Sequence, residues 1–507
     1  MMIDPYLVDT PAGTLRGTSR DDGGVLFAGI PFAAPPVGPL RLRPPRPARP
    51  WSGIRDATEF RAAPPQRAPA LMSTGTAATS TPLTGPAGPP KIDYDEDCLY
   101  LNVWTPDPTG RRPVIVWFYG GGFDVGSAAP PMTDGGALSR LTGAVVVTAN
   151  YRLGALGFLH LADLGGPGWE GSSNLGLQDQ AAALRWVRDT IASFGGDPGN
   201  VTAAGESAGA FCVGALLTMP AAVGTFHRAI LSSGSTARIF DTDTATGIAA
   251  DLLAALDLRT VDDLLDLPVE RILDVQTSVV DSDIGRRNLP GGRSWGVVHD
   301  GTVLPRHPHQ AVLDGAAAGL DLLVGANRDE VRLFQVMQGA AYQPTDEAGL
   351  LAEIRRAGVA APERLLAGYR RRAPNGSLAD LRTLLLTDAV YRLPASRLAA
   401  AQTAAGGRAH AYLFAAEPFG ADLGAFHAAD LLFLFDGLER FGKATPELVE
   451  VQQDLTRAWA EFAATGDPGW PAYDPAATAN TRQFGGDADR VTEPPDDDVT
   501  SAWTSPA

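Results

Sequence analysis

Apolar residues fall along the chain in two alternating patterns. Pro113–Tyr119 (PVIVWFY) and Ala144–Tyr151 (AVVVTANY) are β-branched and nearly continuous, as strands buried on both faces are. Val201–Ala204, Ala229–Leu231 and Leu322–Val324 are shorter runs of the same kind. Between them, Leu177–Phe194 repeats its apolar residues at helical spacing (Leu177, Ala181, Leu184, Val187, Ile191) and is closed by Gly195-Gly196. Strands alternating with helices predict an α/β fold, a mostly parallel sheet with helices on both faces. Leu/Ala-rich stretches at Ala245–Val279 and Glu347–Thr403 predict helical insertions. Ala68–Pro90, rich in Ala, Thr, Pro and Gly without periodicity, reads as an exposed flexible loop. The segment 487–507, with Asp496-Asp497-Asp498, reads as a solvated acidic tail.

Composition narrows the function classes. With 45% hydrophobic and 20% charged residues the chain is an ordinary globular protein, which excludes a disordered or fibrous one. A formal net charge of −17 opposes phosphate backbones and anionic lipid, so neither nucleic acid nor a membrane surface is an expected partner. No apolar run approaches the roughly 20 residues of a membrane span. Asp4, Asp9 and Pro11 stand where a secretory signal would be basic and then apolar. Two cysteines, Cys98 and Cys212, make neither a disulfide framework nor a zinc cluster. The expected address is therefore cytoplasmic, with no metal and no organic cofactor.

The chemistry lies in two glycine-rich segments. Gly205-Glu206-Ser207-Ala208-Gly209 is a Gly-x-Ser-x-Gly sequence between an apolar strand (VTAA) and a helical run, Ala208–Leu217. A serine on a sharp strand-to-helix turn projects its hydroxyl beyond the sheet, and small flanking residues let the backbones approach. Acyl transfer also needs N–H donors for a tetrahedral oxyanion, each worth roughly 3 kcal/mol. Gly120-Gly121-Gly122, directly after the strand ending at Tyr119, can expose such amides. Taken alone that triplet is a tight turn; beside the serine elbow the oxyanion reading wins.

Longer segments carry a resemblance. Glu96–Trp104 (EDCLYLNVW), Phe194–Ala210 (FGGDPGNVTAAGESAGA), Gly29–Leu42, Asn150–Phe158, Asn174–Gln180 and Trp459–Pro468 resemble signatures of the type-B carboxylesterases, the family of bacterial para-nitrobenzyl esterases and cholinesterases. The resemblance covers essentially the whole chain and implies one α/β-hydrolase domain, 1–507, with helical insertions. It implies Ser207 as nucleophile, Glu330 in GANRDE as the triad acid and His427 in GAFHAAD as the base, the α/β-hydrolase order. It further implies an oxyanion hole of Gly121, Gly122 and Ala208, a role for Ser233 in supporting the triad acid, and ion pairs Arg41–Glu96 and Arg152–Asp179. Glu206, directly before the nucleophile, is read as supporting the site, either by tuning its electrostatics or by anchoring the elbow. The cholinesterase version of the histidine segment has glycine and later glutamate where Ala428 and Asp430 stand here.

Of the seven histidines, His160, His227, His299, His307, His309 and His410 match no catalytic segment. His307 and His309 lack an acidic partner at metal-ligand spacing. Asp329 and Asp430 are the rival acids, read as local hydrogen-bonding or salt-bridge residues. The implied activity is hydrolysis of small-molecule carboxylic esters through an acyl-enzyme on Ser207. The segment Ala68–Asp95 holds no tryptophan to stack on a choline cation and no cysteine to pair with Cys98, so choline esters are not expected substrates. The alternatives are a non-catalytic cholinesterase-like binding protein, or a triad hydrolase acting on amides, carbamates or lactones.

Overall fold

In the computed structural model, residues 6–21, 23–67, 93–129, 133–344, 346–494 and 498–503 are described; the loop read at 68–90 lies outside them. Among the described residues the main sheet has 11 strands. In chain order they are β1 (Thr18–Ser19), β2 (Val25–Pro31), β3 (Tyr100–Thr105), β4 (Arg112–Phe118), β5 (Val145–Ala149) and β6 (Gly196–Glu206). There follow β7 (Arg228–Ser232), β8 (Asp321–Asn327), β9 (Arg408–Phe414), β10 (Thr481–Phe484) and β11 (Arg490–Val491). Their spatial order is β11-β10-β9-β8-β7-β6-β4-β5-β3-β2-β1. The run from β10 to β5 is parallel, and the two edges are antiparallel.

Residue alternation along β4 shows why a continuous apolar run is needed there. Val114, Val116 and Phe118 enter one core and Ile115 and Trp117 the other, because successive side chains point to opposite faces. The first core is closed by α1 (Leu175–Thr190), through Leu177 and Leu184, and by α2 (Ala208–Leu216), through Phe211 and Val213. The second is closed by α5 (Pro446–Thr465), whose Trp459 ring lies 6.2 Å from that of Trp117. The helix read at 177–194 is α1 continued by a 3₁₀ turn, Ile191–Phe194, and Gly195 ends it in the left-handed region at φ 78°. The strand read at 201–204 is longer than its apolar heart and starts at Gly196.

The insertion read at 347–403 contains, among others, α3 (Leu378–Thr387) and α4 (Leu393–Ala404), joined by a π-helical turn at Asp388–Arg392. Its own core holds Leu350, Leu365, Tyr369, Leu381 and Leu385, and here the tail reading needs correcting. Within 487–507, β11 pairs with β10, Glu493 is buried against Arg392, and α6 (Asp498–Trp503) sinks Val499, Ala502 and Trp503 into that core. The run of aspartates obscured an apolar stripe only one turn away. Among the described residues no helix is long and apolar enough to cross a membrane.

Candidate active site

Strand register brings distant segments to one sheet edge. Phe118 pairs with Gly205, Gly205 with Leu231, Leu231 with Val324 and Val324 with Ala411, a single row across β4, β6, β7, β8 and β9. The loops that leave the carboxyl ends of these strands carry Gly120–Gly122, Ser207, Ser233, Glu330 and His427. A crevice beyond the carboxyl ends of a parallel sheet is where such folds bind ligands.

The turn at Ser207 is tight because its flanks have no side chains. Ser207 has φ 52° and ψ −122°, a strained conformation for a residue with a Cβ. A Cβ on Gly209 would strike the carbonyl oxygen of Phe118, and one on Gly205 would lie 2.6 Å from the Gly209 carbonyl carbon. A Cβ on Gly120 would meet the Glu206 carboxylate and come within 2.9 Å of Ser207 Cβ. The glycine loop therefore lies directly against the serine. Gly121 and Gly122 take φ 110° and 64°, and among the described residues no hydrogen bond uses the amides of Gly121, Gly122 or Ala208.

His427 stands between the hydroxyl and a carboxylate. Its Nε2 is 2.8 Å from Ser207 Oγ and its Nδ1 is 2.6 Å from Glu330 Oε2. Ser207 is 6% exposed, His427 7% and Glu330 0%, so these contacts act with little solvent screening. Glu330 is fixed on both sides: its Oε1 accepts from the Asn327 amide at 2.8 Å, and its carbonyl accepts from the His427 amide at 3.1 Å. Asn327 donates its side-chain amide to the Phe426 carbonyl at 2.7 Å, tying the loop after β8 to the histidine loop.

Further acids surround the imidazole. Glu206 Oε1 lies 3.2 Å from His427 Nε2, and burial raises its carboxyl to about 8. Burial alone would pull the imidazole down, but Glu206 and Glu330 outweigh it and hold His427 at about 9. Asp430 is also raised by burial, although Ser232 Oγ donates to it at 2.5 Å. The other rival acid, Asp329, accepts from Arg328 and from the Ala425 amide. Both expected ion pairs form: Arg41 Nε donates to Glu96 at 2.8 Å, and Arg152 Nη2 to Asp179 at 2.7 Å.

Ser233 departs from expectation. It is buried with φ 54°, but its hydroxyl has no partner among the described residues; the neighbouring Ser232 makes the contact to an acid instead. Two residues near the imidazole were missed in the sequence. The Tyr391 ring lies 4.8 Å and the Phe334 ring 5.4 Å from that of His427. Tyr391 sits on the π-helical turn, which no local sequence pattern announces. Among the described residues no His/Cys/Asp/Glu group could hold a metal, and His309 instead meets Thr236 at 2.9 Å.

A hydroxyl, an imidazole and a carboxylate in series at the carboxyl edge of this sheet define the class: a serine hydrolase of α/β-hydrolase fold. The comparisons narrow it. Residues 4–484 match the Carboxylesterase family. The para-nitrobenzyl esterase of Bacillus subtilis is 36% identical over 482 residues, covering 92% of each chain. The fumonisin B1 esterase of Sphingopyxis macrogoltabida is 35% identical, over 93% of this chain and 85% of that one. Among solved structures, the Geobacillus stearothermophilus carboxylesterase EST55 superposes with a TM-score of 0.85 at 35% identity, covering 98% of this chain and 100% of the other. The chain belongs to the carboxylesterase family. Its activity is the hydrolysis of carboxylic esters.

Proposed function

We propose that residues 1–507 form one hydrolase domain that cleaves small-molecule carboxylic esters with Ser207, His427 and Glu330 as its catalytic residues. His427 takes the proton from Ser207 as the hydroxyl attacks the ester carbonyl. Glu330 keeps the imidazole in the tautomer with its free lone pair toward the serine and stabilises the imidazolium that forms. The amides of Gly121, Gly122 and Ala208 receive the developing oxyanion. His427 then protonates the departing alcohol, and a water repeats the sequence to release the acid. Glu206 acts on the base through its charge. The observation that carries this reading is the imidazole of His427 within hydrogen-bond reach of both Ser207 Oγ and Glu330 Oε2.

The test is turnover of p-nitrophenyl acetate. Ser207→Ala should lower kcat by on the order of 10⁴–10⁶, with circular dichroism and thermal midpoint close to those of the parent. Turnover at the parental rate in that variant would remove the assignment.

A further inference from the structure

Beside the glycine loop the charges do not balance. Arg238, which follows β7, places its guanidinium carbon 5.2 Å from the Phe123 ring and 5.1 Å from the Phe211 ring. Both rings are fully buried beside the site's backbone. Phe123 directly follows the glycines, and the Phe211 amide donates to the Ser207 carbonyl at 2.9 Å, one turn into α2. Phe211 in turn lies 6.4 Å from Tyr391, the ring that faces His427. Phe211 thus stands between Arg238 and the ring that faces His427.

A second guanidinium stands next to it. Arg287 Nε donates to Ser294 Oγ at 2.9 Å, and its Nη2 donates to the Gly122 carbonyl at 3.2 Å and pairs with Asp124. Arg238 Nη2 reaches the same Ser294 hydroxyl at 3.3 Å. The cluster thus holds two guanidiniums and one carboxylate, and that carboxylate belongs to Arg287.

Three arginines with side chains at most 12% exposed are neutralised, Arg152 by Asp179, Arg382 by Glu353 and Arg392 by Glu493, whereas Arg112, far from the site on β4, shares with Arg238 a buried Nε without a partner among the described residues. Arg238 forms no ion pair among the described residues, and its buried Nε has no hydrogen-bond partner. Ring faces attract the cation but accept none of its in-plane N–H donors. Burial accordingly lowers its pKa to about 10. The residue is partly exposed while its Nε is buried, so the cation lacks a counter-charge at a place that an anion from solvent can fill. A planar guanidinium fork matches a carboxylate in shape and charge.

We propose that Arg238 is a specificity-determining residue, and that the enzyme prefers esters carrying a second, ionised carboxylate, bound at Arg238 while the ester carbonyl lies at Ser207. The inference rests on the esterase reading above but can fail independently of it. The carboxylate can belong to the acyl group or to the alcohol, and matched substrates separate the two.

The experiment compares kcat/KM by pH-stat for monomethyl adipate against methyl hexanoate, the acyl arm. The alcohol arm compares 4-carboxyphenyl acetate with phenyl acetate. In the full-length parent the charged member of one arm should lead by about tenfold or more, a ratio that high salt reduces. In Arg238→Gln that ratio should fall to near one, and Arg238→Lys should retain part of it. Parity in both arms in the parent would overturn the proposal, whatever the variants do. An unchanged ratio in Arg238→Gln would overturn it too. Failure of the parent to cleave any of the four esters would instead count against the esterase reading.

Discussion

The sheet edge around Ser207 and the helical insertion around α3 and α4 are built on opposite plans. At the edge, Gly120, Gly205 and Gly209 allow backbones to touch, and a methyl group on any of them would collide with a neighbour. In the insertion, arginines tie helices together: Arg382 donates to Glu353 at 2.8 and 2.9 Å, to Asp283 at 2.6 Å and to the Tyr342 carbonyl at 2.9 Å. The two regions meet at the π-helical turn, where Tyr391 packs against His427 while its neighbour Arg392 pairs with Glu493. The difference teaches a division of labour. Steric exclusion at the edge fixes the reacting atoms, and charge pairing in the insertion fixes the wall around them.

That contrast can be broken by substitution, and the largest effect belongs at the edge. His427→Gln should reduce kcat on p-nitrophenyl acetate by on the order of 10⁴–10⁶ while leaving the thermal midpoint within a few degrees. Gly120→Ala, which pushes on Glu206 and the serine, should cost about 10²-fold in kcat, because displacements near 1 Å suffice for that. In the insertion, Arg382→Ala strands Glu353 and should cost about 3–5 kcal/mol in denaturant unfolding, with kcat falling much less than in Gly120→Ala. If Arg382→Ala instead abolished turnover in a protein still folded, the division between the regions would be false.

Glu206→Gln sharpens the comparison from the electrostatic side. His427 accepts the serine proton only when neutral, and the Glu206 charge raises the pH at which it becomes so. Removing that charge should move the acid limb of the kcat/KM profile to lower pH; a limb that stayed put or moved up would contradict the role given to Glu206. The smallest effect is expected on the insertion's surface. Arg355 and Glu363 form an ion pair with side chains 55% and 67% exposed, so Arg355→Ala should change stability by no more than about 0.5–1 kcal/mol.

The same contrast explains what could be read without coordinates. Gly-x-Ser-x-Gly and the glycine triplet are legible because a close backbone approach demands particular residues at adjacent positions. The parallel strands are legible because burial on both faces leaves a continuous apolar run, as at Val114–Phe118. Glu330 and His427 are single polar residues in loops far from the serine, and only the resemblance of GANRDE and GAFHAAD singled them out. Their convergence depends on strand register, which no local pattern encodes. Ser233 shows the limit of carrying a role over by motif, since among the described residues its hydroxyl has no partner while Ser232 holds Asp430. Arg238 could not be singled out at all: whether an arginine has a carboxylate beside it is a fact of tertiary packing. The tail misled for a related reason, because Val499 and Trp503 are few against the aspartates that precede them, yet they decide where α6 packs.

The central claim concerns one oxygen atom, Ser207 Oγ, made nucleophilic by the imidazole beside it. Treating the full-length protein with a fluorophosphonate and locating the adduct by peptide mass spectrometry tests this most directly. The account predicts one phosphonyl group per chain, attached to Ser207, with ester turnover lost in proportion to labelling and no labelling in His427→Gln. Full labelling at any other residue, or complete labelling of Ser207 with turnover intact, would contradict it.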